Sequence, residues 1–241
     1  MENLKRLLAD GAKAYELELS EAQLEQFMKY KSLIQDWNRR VNLTAITEDE
    51  EIVKKHFLDS LSLLEKNLPD MKTAKVIDVG TGAGFPGIPL KIAAPGMTVT
   101  LLDSLKKRCA FLTLCGSELG LEGAKVCDMR AEDAGKSPEY REKFDFCVSR
   151  AVAALDVLSE YCLPFVKVGG FFVSMKGPAV FEEAEKGRKA IEVLGGKLEE
   201  IREVDVPFVE EKRYIAVVRK VSATPVKYPR KAGKAAKSPI K

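Results

Sequence analysis

Three features of the sequence predict an α/β fold built on a mainly parallel sheet, with a helical extension ahead of it. The hydrophobic period changes near Thr73. Upstream, apolar residues recur at helical spacing; downstream, short apolar runs alternate with helical stretches. A glycine-rich turn follows the first apolar run and opens a helix, which brings a helix N-terminus to the end of a strand. Bulk composition is the third feature. With 46% hydrophobic and 31% charged residues in 241, the chain can bury one large core without a disulfide or a metal.

Ser20-Glu-Ala-Gln23 is a capping box, and it opens a helix whose Leu24, Phe27, Met28, Ile34 and Trp37 form an apolar stripe. Asn42-Leu-Thr interrupts the pattern. Glu48 to Asn67 predicts a further helix carrying Ile52, Phe57, Leu61 and Leu64, closed by Leu68-Pro69-Asp70. Strands follow over Lys75–Val79, Thr98–Leu102, Lys125–Cys127, Phe144–Ser149 and Phe171–Met175. Helices come after the first, second, fourth and fifth, with a short helical turn after the third. Lys197–Val206 and Tyr214–Val221 are joined without a helix and predict an antiparallel edge pair. The chain thus divides into a helical region (1–68), an α/β domain (69–221) and a basic tail (222–241). It contains no internal repeat.

Charge is uneven. From Lys212 onward there are ten Lys/Arg and no Asp or Glu, whereas the first 211 residues carry 29 basic and 36 acidic side chains, a net of −7. A basic segment on an acidic body predicts an arm for a polyanion such as nucleic acid, with salt-dependent binding. The same composition also suits a solvated, partly disordered tail, because Ser-Ala-Thr-Pro and Lys-Ala-Ala-Lys-Ser-Pro are loop-like. No apolar run reaches membrane-span length, and Met1-Glu-Asn-Leu-Lys-Arg lacks a signal-peptide core, so a cytoplasmic protein without membrane contact is expected. The five cysteines (109, 115, 127, 147 and 162) are odd in number and show no C-x-x-C spacing, and they read as reduced core residues. His56 is the only histidine, which argues against a histidine-built zinc site; no metal is expected. His56 itself reads as a structural hydrogen-bonding group, and Trp37 as core.

Asp78-Val-Gly80-Thr-Gly82-Ala-Gly84-Phe85-Pro86-Gly87 admits two registers. Gly82, Gly84 and Gly87 satisfy G-x-G-x-x-G, the dinucleotide pattern. Gly80, Gly82 and Gly84, with Asp78 upstream, satisfy the D-x-G-x-G-x-G loop of S-adenosylmethionine enzymes. The second is favoured, because the apolar run already ends at Asp78 and Pro86 would remove a donor from a pyrophosphate cradle. Asp103 follows the next strand and suits the ribose hydroxyls of either cofactor. Just past the five strands lie Gly80 to Phe85, Asp103, Arg130-Ala131-Glu132, Ser149-Arg150 and Lys176-Gly177. Polar groups at all five strand ends describe a ligand site. The residues alone support an α/β protein that binds an adenosine-type cofactor and has an anionic partner. A nicotinamide-dependent oxidoreductase and a non-catalytic RNA-binding protein are the alternatives.

Several stretches are distinctive: Trp37-Asn-Arg-Arg-Val-Asn42-Leu-Thr-Ala-Ile, His56-Phe-Leu-Asp-Ser-Leu61, the glycine loop through Leu90, Ser149-Arg-Ala-Val-Ala-Ala-Leu155, and Lys227-Tyr-Pro-Arg-Lys-Ala-Gly233 with Ser238-Pro239. Together they resemble the ribosomal RNA small-subunit methyltransferase G family, also called glucose-inhibited division protein B, from about Leu17 to Ile240. The resemblance implies a Rossmann-like class I methyltransferase with a seven-stranded sheet and helices on both faces. It implies transfer of a methyl group from S-adenosylmethionine to N7 of a guanine in 16S rRNA, naked or within a small-subunit particle, with no obligate protein partner. Carried over by position, the cofactor contacts would be Gly80, Phe85, Ala131, Glu132 and Arg150, with Asp103 added on the ribose argument. Arg130, Lys176, Lys227 and Arg230 would face the RNA. No catalytic base is expected, because guanine N7 carries a free lone pair. Removing residues 227–241 is expected to weaken RNA binding while leaving cofactor affinity nearly unchanged.

Overall fold

The computed structural model describes all 241 residues. Its helical region begins with α1 (Glu2–Lys13) and α2 (Glu21–Asn38). The predicted capping box forms, with Gln23 N donating to Ser20 Oγ at 3.3 Å and Ser20 N donating to Gln23 Oε1 at 2.9 Å. Gln23 Nε2 also donates to the Ile92 carbonyl at 2.8 Å, fixing α2 against the α/β part. The next helical segment is α-helical at Asp49–Ile52 (α3), π-wound at Val53–Leu58, α-helical again at Asp59–Leu61 (α4) and 3-10 at Ser62–Leu64. It ends three residues before the predicted Asn67, where Glu65 turns extended.

Seven strands form one sheet: β1 (Lys75–Val79), β2 (Thr98–Asp103), β3 (Ala124–Asp128), β4 (Phe144–Arg150), β5 (Val166–Lys176), β6 (Gly196–Val204) and β7 (Arg213–Lys220), in the order β3-β2-β1-β4-β5-β7-β6. The linking helices are α5 (Gly87–Ala93), α6 (Lys106–Glu118), α7 (Ala131–Ala134), α8 (Leu155–Cys162) and α9 (Val180–Val193). The last two strands form the predicted antiparallel pair at one edge of the sheet. β7 inserts between β5 and β6 and runs antiparallel to both, so β6 is the outermost strand at that end, as β3 is at the other. Val217 and Ala216 alternate to the two apolar faces, as an interior strand requires.

Strand alternation divides the interior. Val76, Val99, Leu101, Phe146 and Val148 point to the face covered by α1, α2, the π-wound segment, α5 and α6. Ile77, Val79, Leu102 and Cys147 point to the face covered by α8 and α9. All five cysteines are buried and Trp37 packs on Phe111, with ring centroids 5.5 Å apart. No helix is long and apolar enough to cross a membrane.

The basic tail is folded. Lys220, wholly buried, donates to the Leu163 and Val166 carbonyls and to Thr224 Oγ1 at 2.7–3.1 Å, and lies 3.0 Å from Glu142 Oε1. Arg141 donates to the Thr224 and Tyr228 carbonyls. Tyr228, Pro229 and Ala235 are buried, and a last helical turn, α10, spans Lys234–Lys237. The tail is a strap laid across the domain.

Candidate active site

The strand order reverses between β1 and β4, and the site opens where those strands end. β1 stops at Val79 because Gly80, Gly82 and Gly84 take φ of +72°, +61° and +103°, which L side chains avoid. These are the glycines of the D-x-G-x-G-x-G register. Gly87 instead begins α5, where a Cβ would lie 2.9 Å from Asp78 Oδ2. Asp78 clasps the loop from beneath. Its Oδ2 accepts from Thr81 Oγ1 at 2.6 Å and Gly87 N at 2.8 Å, while Oδ1 is buried without a partner. Burial raises its pKa to about 6 in spite of those two bonds. Asp103 holds the loop from the side, accepting from Gly82 N at 3.0 Å on Oδ2 and from Leu105 N at 2.9 Å on Oδ1.

The loop walls a cleft of about 540 Å³. Gly80, Asp103, Arg130, Ala131 and Glu132 all line it, so residues predicted from three strand ends meet in one space. Arg130 sits there with the expected cofactor contacts, exposed and without an acidic partner. Leu105, Met129 and Val152 supply apolar sides, and Arg108, Tyr161 and Gly233 complete the wall. The last three lay outside the sequence-based set. Tyr161 and Gly233 reach the cleft only through tertiary packing; Lys106-Lys107-Arg108 after Asp103 was the one local signal available. Gly233 N donates to Glu132 Oε1 at 2.9 Å, so the strap forms part of the cleft. This contact runs against the expectation that removing the tail would spare cofactor affinity.

Neither Phe85 nor Arg150 lines the cleft. The Phe85 ring packs behind the glycine loop, stacked on His56 at 4.3 Å and 4.8 Å from the Arg150 guanidinium carbon. After β4, Ala151 takes φ +56°, and Ala151 and Val152 stand between the cleft and a second pocket of about 560 Å³. Arg150 lines that second pocket, with Lys55, His56, Asp59, Lys176, Glu183 and Arg213. Its Nη1 lies 2.7 Å from Asp59 Oδ2, and its Nη2 lies 3.1 Å from His56 Nδ1. Nδ1 is also 3.1 Å from the Lys55 carbonyl, and Nε2 lies 2.8 Å from Thr44 Oγ1, so both ring nitrogens have polar partners in either tautomer. Burial, and then Arg150, push the His56 pKa down to about 3. The imidazole is neutral and fully engaged, the structural role its sequence context suggested.

Two predicted RNA contacts are already committed elsewhere. Lys176 donates to the Ala153 carbonyl at 2.5 Å and to Glu183 Oε2 at 2.7 Å, pinning the segment between the pockets. Arg230 grips the buried Glu160 with its backbone N and its guanidinium at 2.6–3.0 Å. Their charges are neutralised, a fate that spacing alone does not reveal. Lys227 is exposed, its ammonium 5.3 Å from the Tyr228 ring centroid and without an acidic partner.

Residues 23–213 match the model of the family described as rRNA small subunit methyltransferase G. A protein named ribosomal RNA small subunit methyltransferase G, from Alkaliphilus oremlandii, is 53% identical over 238 residues and covers 99% of both chains. The chain belongs to the rRNA small subunit methyltransferase G family. A second relative of that name, from Clostridium novyi, is 51% identical, covering 97% of this chain and 96% of its own. The crystal structure of a SAM dependent methyltransferase from Aquifex aeolicus shares the fold, with a TM-score of 0.51 at 21% identity over 71% of this chain and 93% of its own. The methyltransferase G family model ends at residue 213, short of the strap, whereas the relative at 53% identity spans nearly the whole chain.

Proposed function

We propose that the protein is an S-adenosylmethionine-dependent methyltransferase that methylates N7 of one specific guanine in 16S rRNA. The observation that carries this reading is the cleft at the strand-order switch, with Asp103 and Glu132 set beside an apolar slot in a chain of this family. The residues suit the cofactor. Each Asp103 oxygen accepts one N–H and keeps a lone pair for ribose hydroxyls. Glu132 uses only Oε1 for Gly233, which leaves Oε2 for an adenine amino group. Leu105 and Met129 offer flanking apolar surface, and Gly80 and Ala131 add backbone close to the ligand. When bound, S-adenosylmethionine supplies an electrophilic methyl group on a sulfonium centre.

Guanine N7 presents its lone pair at neutral pH, so the protein need only hold donor and acceptor in line. His56 fits that mechanism: with both ring nitrogens engaged and its pKa near 3, it moves no proton at neutral pH. The second pocket adjoins the cleft through Ala151 and Val152 and is our candidate for the acceptor base. Arg150 and Arg213 share Asp59 there, Lys55 sits between Glu51 and Glu211, and Lys176 holds Glu183, so the pocket offers paired polar groups suited to a base, and the phosphate contacts fall to free cations outside it. Phe85 and Arg150 then serve the cofactor indirectly, by supporting the loop and the partition between the pockets. Arg130, Lys106, Lys107 and Lys227, all exposed and without ion pairs, extend a cationic rim for backbone phosphates. We divide the chain functionally into the helical region 1–68, the cofactor domain 69–221 and the strap 222–241, acting as one chain without an obligate protein partner.

The test is transfer of labelled methyl to small ribosomal subunits lacking the modification, to naked 16S rRNA and to an unrelated RNA. Label at a single guanine, located by the strand scission that N7 methylation permits, is the expected result. Comparison of subunits with naked rRNA identifies the form used. Absence of label in every RNA overturns the reading.

A further inference from the structure

The strap is the element that the rest of the fold explains least. It spends buried contacts on lying beside the cleft: Arg230 is clamped on Glu160, whose side chain is 1% exposed, and Tyr161 next to it in α8 lines the cleft. Gly233 takes φ +75° and turns its N–H onto Glu132, 101 residues away. Meanwhile Lys227, Lys231, Lys234 and Lys237 all face solvent with no acidic partner. One short segment therefore presents a cofactor-side contact on its inner surface and four free cations on its outer one.

We propose that Gly233 and the Arg230–Glu160 clamp are positioning groups of the cofactor site, holding Glu132 for its ligand, and that the outer lysines make the same strap a contact for RNA phosphates. The inference rests on the methyltransferase reading above and deepens it. Seating the strap serves both ligands, so each binds a chain that the other has already ordered. The coupling is reciprocal: whatever factor RNA adds to cofactor affinity, the cofactor adds to RNA affinity.

The experiment uses the full chain, S-adenosylhomocysteine as the cofactor probe and transcribed 16S rRNA. For the wild type, saturating RNA tightens S-adenosylhomocysteine binding by about fivefold or more, with an equal reciprocal effect on RNA. Gly233→Ala adds only backbone strain, since a Cβ there meets nothing within 4 Å; Arg230→Met removes the clamp. Each lowers S-adenosylhomocysteine affinity without RNA by roughly tenfold while thermal unfolding stays a single transition. Hydrogen exchange at residues 231–237 slows on adding S-adenosylhomocysteine alone to the wild type. The triple variant Lys231→Gln, Lys234→Gln, Lys237→Gln keeps wild-type affinity without RNA and loses the RNA-induced tightening. Unchanged affinity in both Gly233→Ala and Arg230→Met overturns the proposal, as does full coupling in the triple variant. Wild-type chain that binds no S-adenosylhomocysteine at all overturns the methyltransferase reading itself, and this inference with it.

Discussion

Asp78 holds the glycine loop at a cost to itself. Its carboxyl is wholly buried with one oxygen unpaired, and its folded pKa of about 6 lies above the ordinary 3.8. Between about pH 4 and 6 the folded chain therefore keeps a proton that the unfolded chain releases, so the stability this group contributes falls as pH rises through that window. His56 works the other way. Its folded pKa of about 3 lies below the ordinary 6.5, so the unfolded chain takes up a proton first and stability falls as pH drops through 6.5 towards 3. Asp78→Asn keeps an acceptor for Thr81 and Gly87 but deletes the first effect. On acidification from pH 7 to 4.5 the variant is expected to lose about 2 kcal/mol more stability than the wild type. Urea titrations at the two pH values measure this; equal losses would mean that Asp78 ionises normally. At this scale the sequence was a good guide to which residues matter and a poor one to their partners. Asp78 was readable from its place beside the glycines and Asp103 from its place after the second predicted strand, whereas the Arg150–Asp59 pair joins residues 91 apart and left no local trace.

At the scale of elements, α6 is wound against its own electrostatics. Lys106, Lys107 and Arg108 occupy its first turn, where the helix dipole favours acids. Arg108 has Asp103 at 3.5 Å, but Lys106 and Lys107 are exposed and unpaired. Cations there cost the helix a few tenths of a kcal/mol and stand at the mouth of the cleft, where the proposed RNA backbone would pass. Lys106→Gln with Lys107→Gln is expected to raise stability by a few tenths of a kcal/mol and to lower the salt slope of RNA binding by about two. S-adenosylhomocysteine affinity should stay level. A salt slope equal to that of the wild type would remove α6 from the interface. Most elements were legible because their apolar runs are bounded by glycine, proline and charge, and β1 matches residue for residue. The π-wound stretch was not, since one extra residue per turn barely disturbs a helical stripe. The interior position of β7 was equally hidden: alternation shows that a strand is buried, and only packing shows between which neighbours.

The molecule as a whole has a core that ignores its sequence segments. Leu8 of α1, Phe57 of the π-wound stretch and Val217 of β7 belong to one apolar cluster of 43 buried residues. Trp37, the single tryptophan, sits in α2 against Phe111 of α6 and so reports on the join between the helical region and the sheet. Its fluorescence and far-UV circular dichroism are expected to change at one common urea midpoint. Two separated midpoints would show the helical region unfolding alone. The seat of the strap was the least legible feature, because its lysines, serines and prolines suit a polyanion-binding arm or a solvated tail and neither reading says what it packs on. Its four buried residues, Thr224, Tyr228, Pro229 and Ala235, follow no helical or strand period, and the carboxylates it grips lie in distant elements. The antiparallel course of β7 adds a consequence in time. β7 delivers the chain to the end of the sheet opposite the cleft, so the strap must climb back across the domain before Gly233 meets Glu132. That meeting closes a loop of about 100 residues onto a platform that α7 and α8 must already have formed, and such contacts come late. A refolding molecule regains its sheet first and its ability to hold a ligand last.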